Sequence, residues 1–62
     1  MYSEICIWYK TDDGKMHTTK SVMRHSKPLG NYDASKICSS ILRFNGIEDD
    51  ITDYGIKGWT GI

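Results

Sequence analysis

The chain has 62 residues, with eight Lys or Arg against eight Asp or Glu and a formal net charge of zero. So short a chain holds one small domain and buries only ~60% of the surface its unfolded form exposes, so a partner or a second copy is the expected supplement to its core. Zero net charge excludes the global electrostatic footprint of a nucleic-acid or anionic-membrane binder, and 39% apolar residues exclude a disordered chain.

The longest apolar run, Ile5 to Tyr9, is far short of a membrane span. The start "MYSEICIWYK" lacks the basic head and small-residue cleavage site of a signal peptide, so the expected location is cytoplasmic, with no membrane partner. Cys6 and Cys38 form no C-x-x-C pair and are too few for a disulfide framework.

In chain order, "SEICIWYK" alternates Ile5, Ile7 and Tyr9 with Glu4, Cys6, Trp8 and Lys10, which predicts a strand over about 3–10. Asp13-Gly14 supplies residue types that tolerate positive φ in a hairpin turn, and "KMHTTKSVM" predicts the returning strand over 15–24. Its register stays open. A two-residue loop pairs Ile7 with Lys20, and a three-residue loop with a glycine bulge pairs Ile7 with Thr19; the choice exchanges the faces of the second strand.

"RHSKPLGN" reads as a loop, marked by Pro28 and Gly30. Next, Ala34, Ile37, Cys38, Ile41 and Leu42 recur at the spacing of one helical face, which predicts a helix over 34–45. Asp33 is its N-cap candidate, with Asn31 as the alternative, and Gly46 fits the position just past its end. The closing stretch alternates again and predicts a third strand over 52–60, at a sheet edge and open to a bulge because of its glycines. The expected fold is therefore α+β, a single domain over 1–62 of order β-β-α-β. Its antiparallel sheet runs 2-1-3, with one helix on one face.

If Ile5, Ile7, Tyr9, Tyr54 and Ile56 face the helix, then Cys6, Trp8, Lys57 and Trp59 face away. Trp59 would lie near Glu4 and Trp8 near Asp53, leaving a shallow trough with an indole at each end. Tryptophan is enriched at binding hot spots, so these four residues are the candidate partner-binding face; ordinary packing or burial against a second copy are the other readings. On the same assignment, Cys6 and Cys38 lie on different sides of the sheet and cannot bridge.

The run "EDDITDYG" fails as a metal site. A calcium loop starting at Asp49 needs an oxygen ligand, a glycine and a glutamate where Ile51, Tyr54 and Thr60 stand. Asp49, Asp50 and Asp53 are instead a candidate secondary electrostatic contact, or simply a solvated lead-in to the last strand. His17 and His25 have no ligand at zinc spacing, and no serine sits in a nucleophile elbow. No cofactor, no metal and no enzymatic activity are expected. Lys20, Arg24 and Lys27, near the end of the second strand, are the candidate contacts for the alternative function, a nucleic-acid or nucleotide-binding module that stacks bases on Trp8.

A strand ending in Asp12-Asp13-Gly14-Lys15, a returning strand, an amphipathic helix closed by Gly46 and a last strand preceded by Asp50 resemble the small dimeric uracil-DNA glycosylase inhibitors of Bacillus phages. The resemblance lies in element order and length over about residues 4–60, and in those few positions. It implies a homodimer acting in the host cytoplasm, a phage-like inhibitor that sequesters or blocks a host or defence enzyme by stoichiometric binding. The helix departs from that pattern by offering Ile and Leu where the family turns aromatics to its target. The zero net charge departs from the family's negative one, so no target-binding residue carries over.

Overall fold

The computed structural model describes residues 1–47 and 50–62. Strands β1 (Tyr2–Thr11) and β2 (Met16–Arg24), a 3-10 turn at Leu29–Asn31, helix α1 (Ala34–Phe44) and strand β3 (Ile51–Gly61) follow in that order. The strands form one antiparallel sheet, β2-β1-β3. This is the expected α+β architecture, with β1 central.

The hairpin settles the register of β2. Thr11 N–H donates to the Lys15 carbonyl and Gly14 N–H to the Thr11 carbonyl, so Asp12, Asp13 and Gly14 make a three-residue loop. Gly14 takes φ +82, the left-handed conformation this loop requires. Asp13 locks the turn, because its carboxylate accepts from the Thr11 hydroxyl and from the Lys15 N–H. These bonds favour the anion and hold the Asp13 carboxyl below its ordinary value of 3.8, the Thr11 contribution being the largest. Ile7 consequently pairs with Thr19.

Helix α1 has a cap at each end. The Asp33 carboxylate accepts from Ser35 N–H at 2.9 Å, satisfying one of the free first-turn donors. At the other end Gly46 adopts φ +70, its N–H donates to Arg43, and Ile47 N–H donates to Leu42, the paired bonds of a Schellman closure. Asn45 then reaches the sheet, donating from Nδ2 to the Thr19 hydroxyl.

The core lies between α1 and one sheet face. Ile5 and Ile7 are fully buried, with Tyr9 beside them, against Ile37, Cys38, Ile41 and Leu42. Ala34, expected on that stripe, is exposed, because the helix has only begun there. Leu29 takes a place in the core from within the segment expected to be loop, carried there by a short 3-10 turn.

Candidate binding surface

Residues opposite one another in an antiparallel pair project to the same side of the sheet. From Tyr9↔Tyr54 and Ile7↔Ile56, β3 keeps the expected alternation, and Tyr54 and Ile56 pack on the core. Between Cys6 and Ile7 the register then shifts by one residue: Lys57 is extra, Gly58 pairs with Cys6 and Trp59 with Ile5. A bulge of this kind reverses the side of everything beyond it.

The candidate face of Cys6, Trp8, Lys57 and Trp59 is therefore corrected. Cys6 and Trp8 lie on the uncovered side, opposite Gly58 and Gly55. Trp59 shares the side of Ile5, the helix side, where it projects past the core at 56% exposure. Lys57 occupies the bulge itself. Trp8 does not lie by Asp53, which pairs with Lys10, nor Trp59 opposite Glu4, which pairs with Thr60. No trough with an indole at each end exists.

Trp8 has a definite local role. A Cβ built on Gly55 would come within 2.7 Å of its indole nitrogen and 2.9 Å of two ring carbons. The ring thus lies flat across the Gly55 backbone and half-buries itself by covering a strand with no side chain there, an aromatic–glycine cross-strand pair.

The two outer strands differ in what their free edges offer. Along β2, the bonds of Met1 with His25 and of Thr11 with Lys15 mark the odd-numbered residues of β1 as the pairs bonded to β2. By antiparallel alternation, Met16, Thr18, Lys20, Val22 and Arg24 direct their N–H and C=O groups outward. β2 has no register shift and no proline. On the helix side its edge is walled by Phe44, 82% exposed, across a groove of about 250 Å³ that Ser21, Met23, Ser40 and Ile41 also line. The sequence singled out no role for Phe44. An aromatic residue in the last helical turn, at the margin of the apolar stripe seven residues after Ile37, was the available signal.

The other candidates separate by location. Lys20 and Arg24 lie on the uncovered side of β2, opposite Cys6 and Tyr2, and Lys27 lies in the following loop. Lys20 approaches Glu4 at 4.0 Å with both side chains largely in solvent, a pair worth little. Asp50 and Asp53 sit at the hairpin end of the sheet, where the Asp50 carbonyl accepts from Asp12 N–H and Asp53 caps Tyr54 N–H. Asp49 lies outside the described residues. Both cysteines are free; Cys38 is buried and its thiol is pushed up by desolvation, while Cys6 is half-buried on the opposite side of the sheet.

One arrangement has the outline of a nucleophile and its base. Ser3 Oγ lies 2.8 Å from His25 Nε2, and His25 Nδ1 lies 2.6 Å from the Lys27 carbonyl. A carbonyl only accepts, so Nδ1 donates, and in the neutral ring Nε2 accepts from the serine hydroxyl. Ser3 is 5% and His25 7% exposed, so the hydroxyl faces the ring rather than a reachable cavity. Together with Tyr32, edge-on to the imidazole at 6.3 Å, the pair fastens the loop after β2 to the start of β1. Among the described residues no group of three or more His, Cys, Asp or Glu is placed to hold a metal ion, and no helix is long and apolar enough to cross a membrane.

What fold and surface define is a small α+β domain with one regular, uncovered sheet edge. Comparison of the chain with protein-family models, curated proteins and solved structures gives no match.

Proposed function

We propose that this protein is a non-catalytic, stoichiometric binding protein that blocks or sequesters a protein partner along the β2 edge. The observation that carries this reading is the pairing of an unbulged strand edge with Phe44. Outward backbone groups recur every second residue beside an aromatic side chain standing in solvent. Such an edge is a template for another strand, and an exposed aromatic beside a groove is the usual anchor of a binding hot spot.

The Asp12-Asp13-Gly14-Lys15 hairpin and the element order support an inhibitor of phage type acting in the host cytoplasm, and they make a uracil-DNA glycosylase the first enzyme to try. The same resemblance favours a homodimer. Lys20 and Arg24, on the same uncovered side as Trp8, favour a second reading, single-strand nucleic-acid binding; its affinity would fall steeply with salt.

Affinity capture from bacterial lysate tests the main reading, with wild type, Phe44→Ala and Trp59→Ala as parallel baits. A protein held by wild type and Trp59→Ala is expected to be lost with Phe44→Ala at unchanged circular dichroism. The same protein retained equally by all three would overturn the assignment of the edge.

A further inference from the structure

Basic residues gather in the part of the chain that forms β2 and the loop after it. From Gly14 to Tyr32 the chain holds Lys15, Lys20, Arg24 and Lys27 and no Asp or Glu. The groove between α1 and β2 has Arg24 as its charged lining residue, and Lys36 and Arg43 stand on the outer face of α1. On the β3 side, the groove between α1 and Ile51–Tyr54 has Asp53 as its charged lining residue. The open edge thus carries net positive charge, Lys20 and Arg24 against the neighbouring Glu4, although the whole chain is neutral.

This polarity discriminates among occupants. A second copy entering antiparallel at β2 brings Lys20 and Arg24 of both chains onto one side of a two-strand seam, and in the registers centred on Lys20, Val22 or Arg24 like charges face across the strands and repel. A single-stranded nucleic acid satisfies the charges but has no N–H and C=O ladder to match outward groups at Met16, Thr18, Lys20, Val22 and Arg24. An extended polypeptide with acidic side chains on one side satisfies both. Its acidic residues would fall opposite Lys20 and Arg24 on the uncovered face, and the intervening residues would point toward Phe44 and Ile41.

We infer that the β2 edge receives, as a fourth antiparallel strand, an acidic extended segment of the partner protein in which Asp or Glu alternates with apolar residues. This rests on the β2-edge reading above and adds the chemistry of what is bound. Affinity would come from main-chain bonds and selectivity from the alternate side chains, as in strand addition generally.

The test uses the full chain and three synthetic nine-residue peptides matched in length to β2. One alternates Glu with Val, one Lys with Val, and the third is the Glu peptide N-methylated at alternate residues. Titration by calorimetry, with amide exchange read by NMR, is expected to show the Glu peptide binding at least about tenfold more tightly than either other peptide. Thr18, Lys20 and Val22 amides should gain protection on binding. Lys20→Glu with Arg24→Glu, both on the open side of the sheet, should reverse the preference toward the Lys peptide; Val22→Pro, which removes one outward N–H, should weaken the Glu peptide.

If the Lys peptide binds equally well and protects the same amides, the edge reading stands and the acidic partner is overturned. If no peptide protects β2 at millimolar concentration, both fall. A dimeric mass with those amides already protected in the free protein assigns the edge to a second copy and overturns the inference. Displacement of the Glu peptide by oligo(dT) at Lys20 and Arg24, without protection of the β2 amides, transfers the site to nucleic acid and overturns it too.

Discussion

β2 and β3 both flank β1, and each leaves one side of its backbone without a strand neighbour, yet they manage that exposure differently. β2 keeps a two-residue period from Met16 to Arg24. β3 breaks it twice, between the partners of Cys6 and Ile7 and between those of Lys10 and Thr11, and places glycine at 55, 58 and 61. Bulges spoil an edge as a template because the outward N–H and C=O groups no longer recur at the spacing of an incoming strand. Two edges of one sheet therefore teach that openness to solvent is not the same as availability: periodicity decides which edge can be read.

The largest test concerns what the two edges share. Ile7 is fully buried beneath both, between Thr19 and Ile56, and Ile7→Ala should cost about 2–5 kcal/mol in urea unfolding, releasing β2 and β3 in one transition. Ile7→Val, at about 0.5–1.5 kcal/mol, supplies a variant that stays folded for the comparison. Separate transitions for the two edges would show that they are not held by one core.

Next in size is the glycine under Trp8. Gly55→Val forces a side chain into the indole and should destabilise by about 1–3 kcal/mol, and Trp8→Ala in the same chain should recover part of that loss. Gly58→Ala meets nothing within 4 Å and should stay within about 0.5 kcal/mol of wild type. Equal effects at both glycines would remove the aromatic–glycine pair as the reason β3 holds its place.

Asp33→Ala removes the N-cap of α1 and should cost about 1 kcal/mol. Because α1 roofs both edges, amide exchange should quicken in β2 and β3 together. Phe44→Ala, by contrast, should leave stability within about 0.5 kcal/mol while abolishing partner binding, since most of that ring is in solvent.

The smallest effect is that of pH on the hairpin. The carboxyl of Asp13 is held below 3.8 when folded, so the bonds it accepts stabilise the turn fully above the unfolded value. That contribution is lost as pH falls through the lower, folded value. An NMR titration should place the Asp13 midpoint below 3.8, and Asp13→Asn should erase the acid-side loosening of the Lys15 amide. A midpoint at or above 3.8 would remove the carboxylate lock.

Much of this molecule was legible in the residues. The alternation of Ile5, Ile7 and Tyr9, the stripe of Ile37, Cys38, Ile41 and Leu42, and the caps at Asp33 and Gly46 follow from local geometry, and each stands where its pattern put it. The candidate site was legible only in part. Trp8 faces away from the helix as its parity required, but Trp59 does not, because parity counting assumes an unbroken strand and a single extra residue at Lys57 inverts everything after it. Gly55 and Gly58 signalled irregularity without locating it. Leu29 was hidden for a related reason: a 3-10 turn between Pro28 and Tyr32 leaves no periodic trace over three residues.

Taken alone, the sequence determined the kinds of element, their order and which side of β1 meets the helix, since these depend on side-chain period and on capping within a few residues. Only the tertiary structure decided the register of β2, the position of the β3 bulge and the side on which Trp59 emerges. It also decided that the basic residues border the one regular edge. Those outcomes depend on how the strands align with one another, and alignment is fixed by turn conformation and by packing across the sheet rather than by any segment on its own.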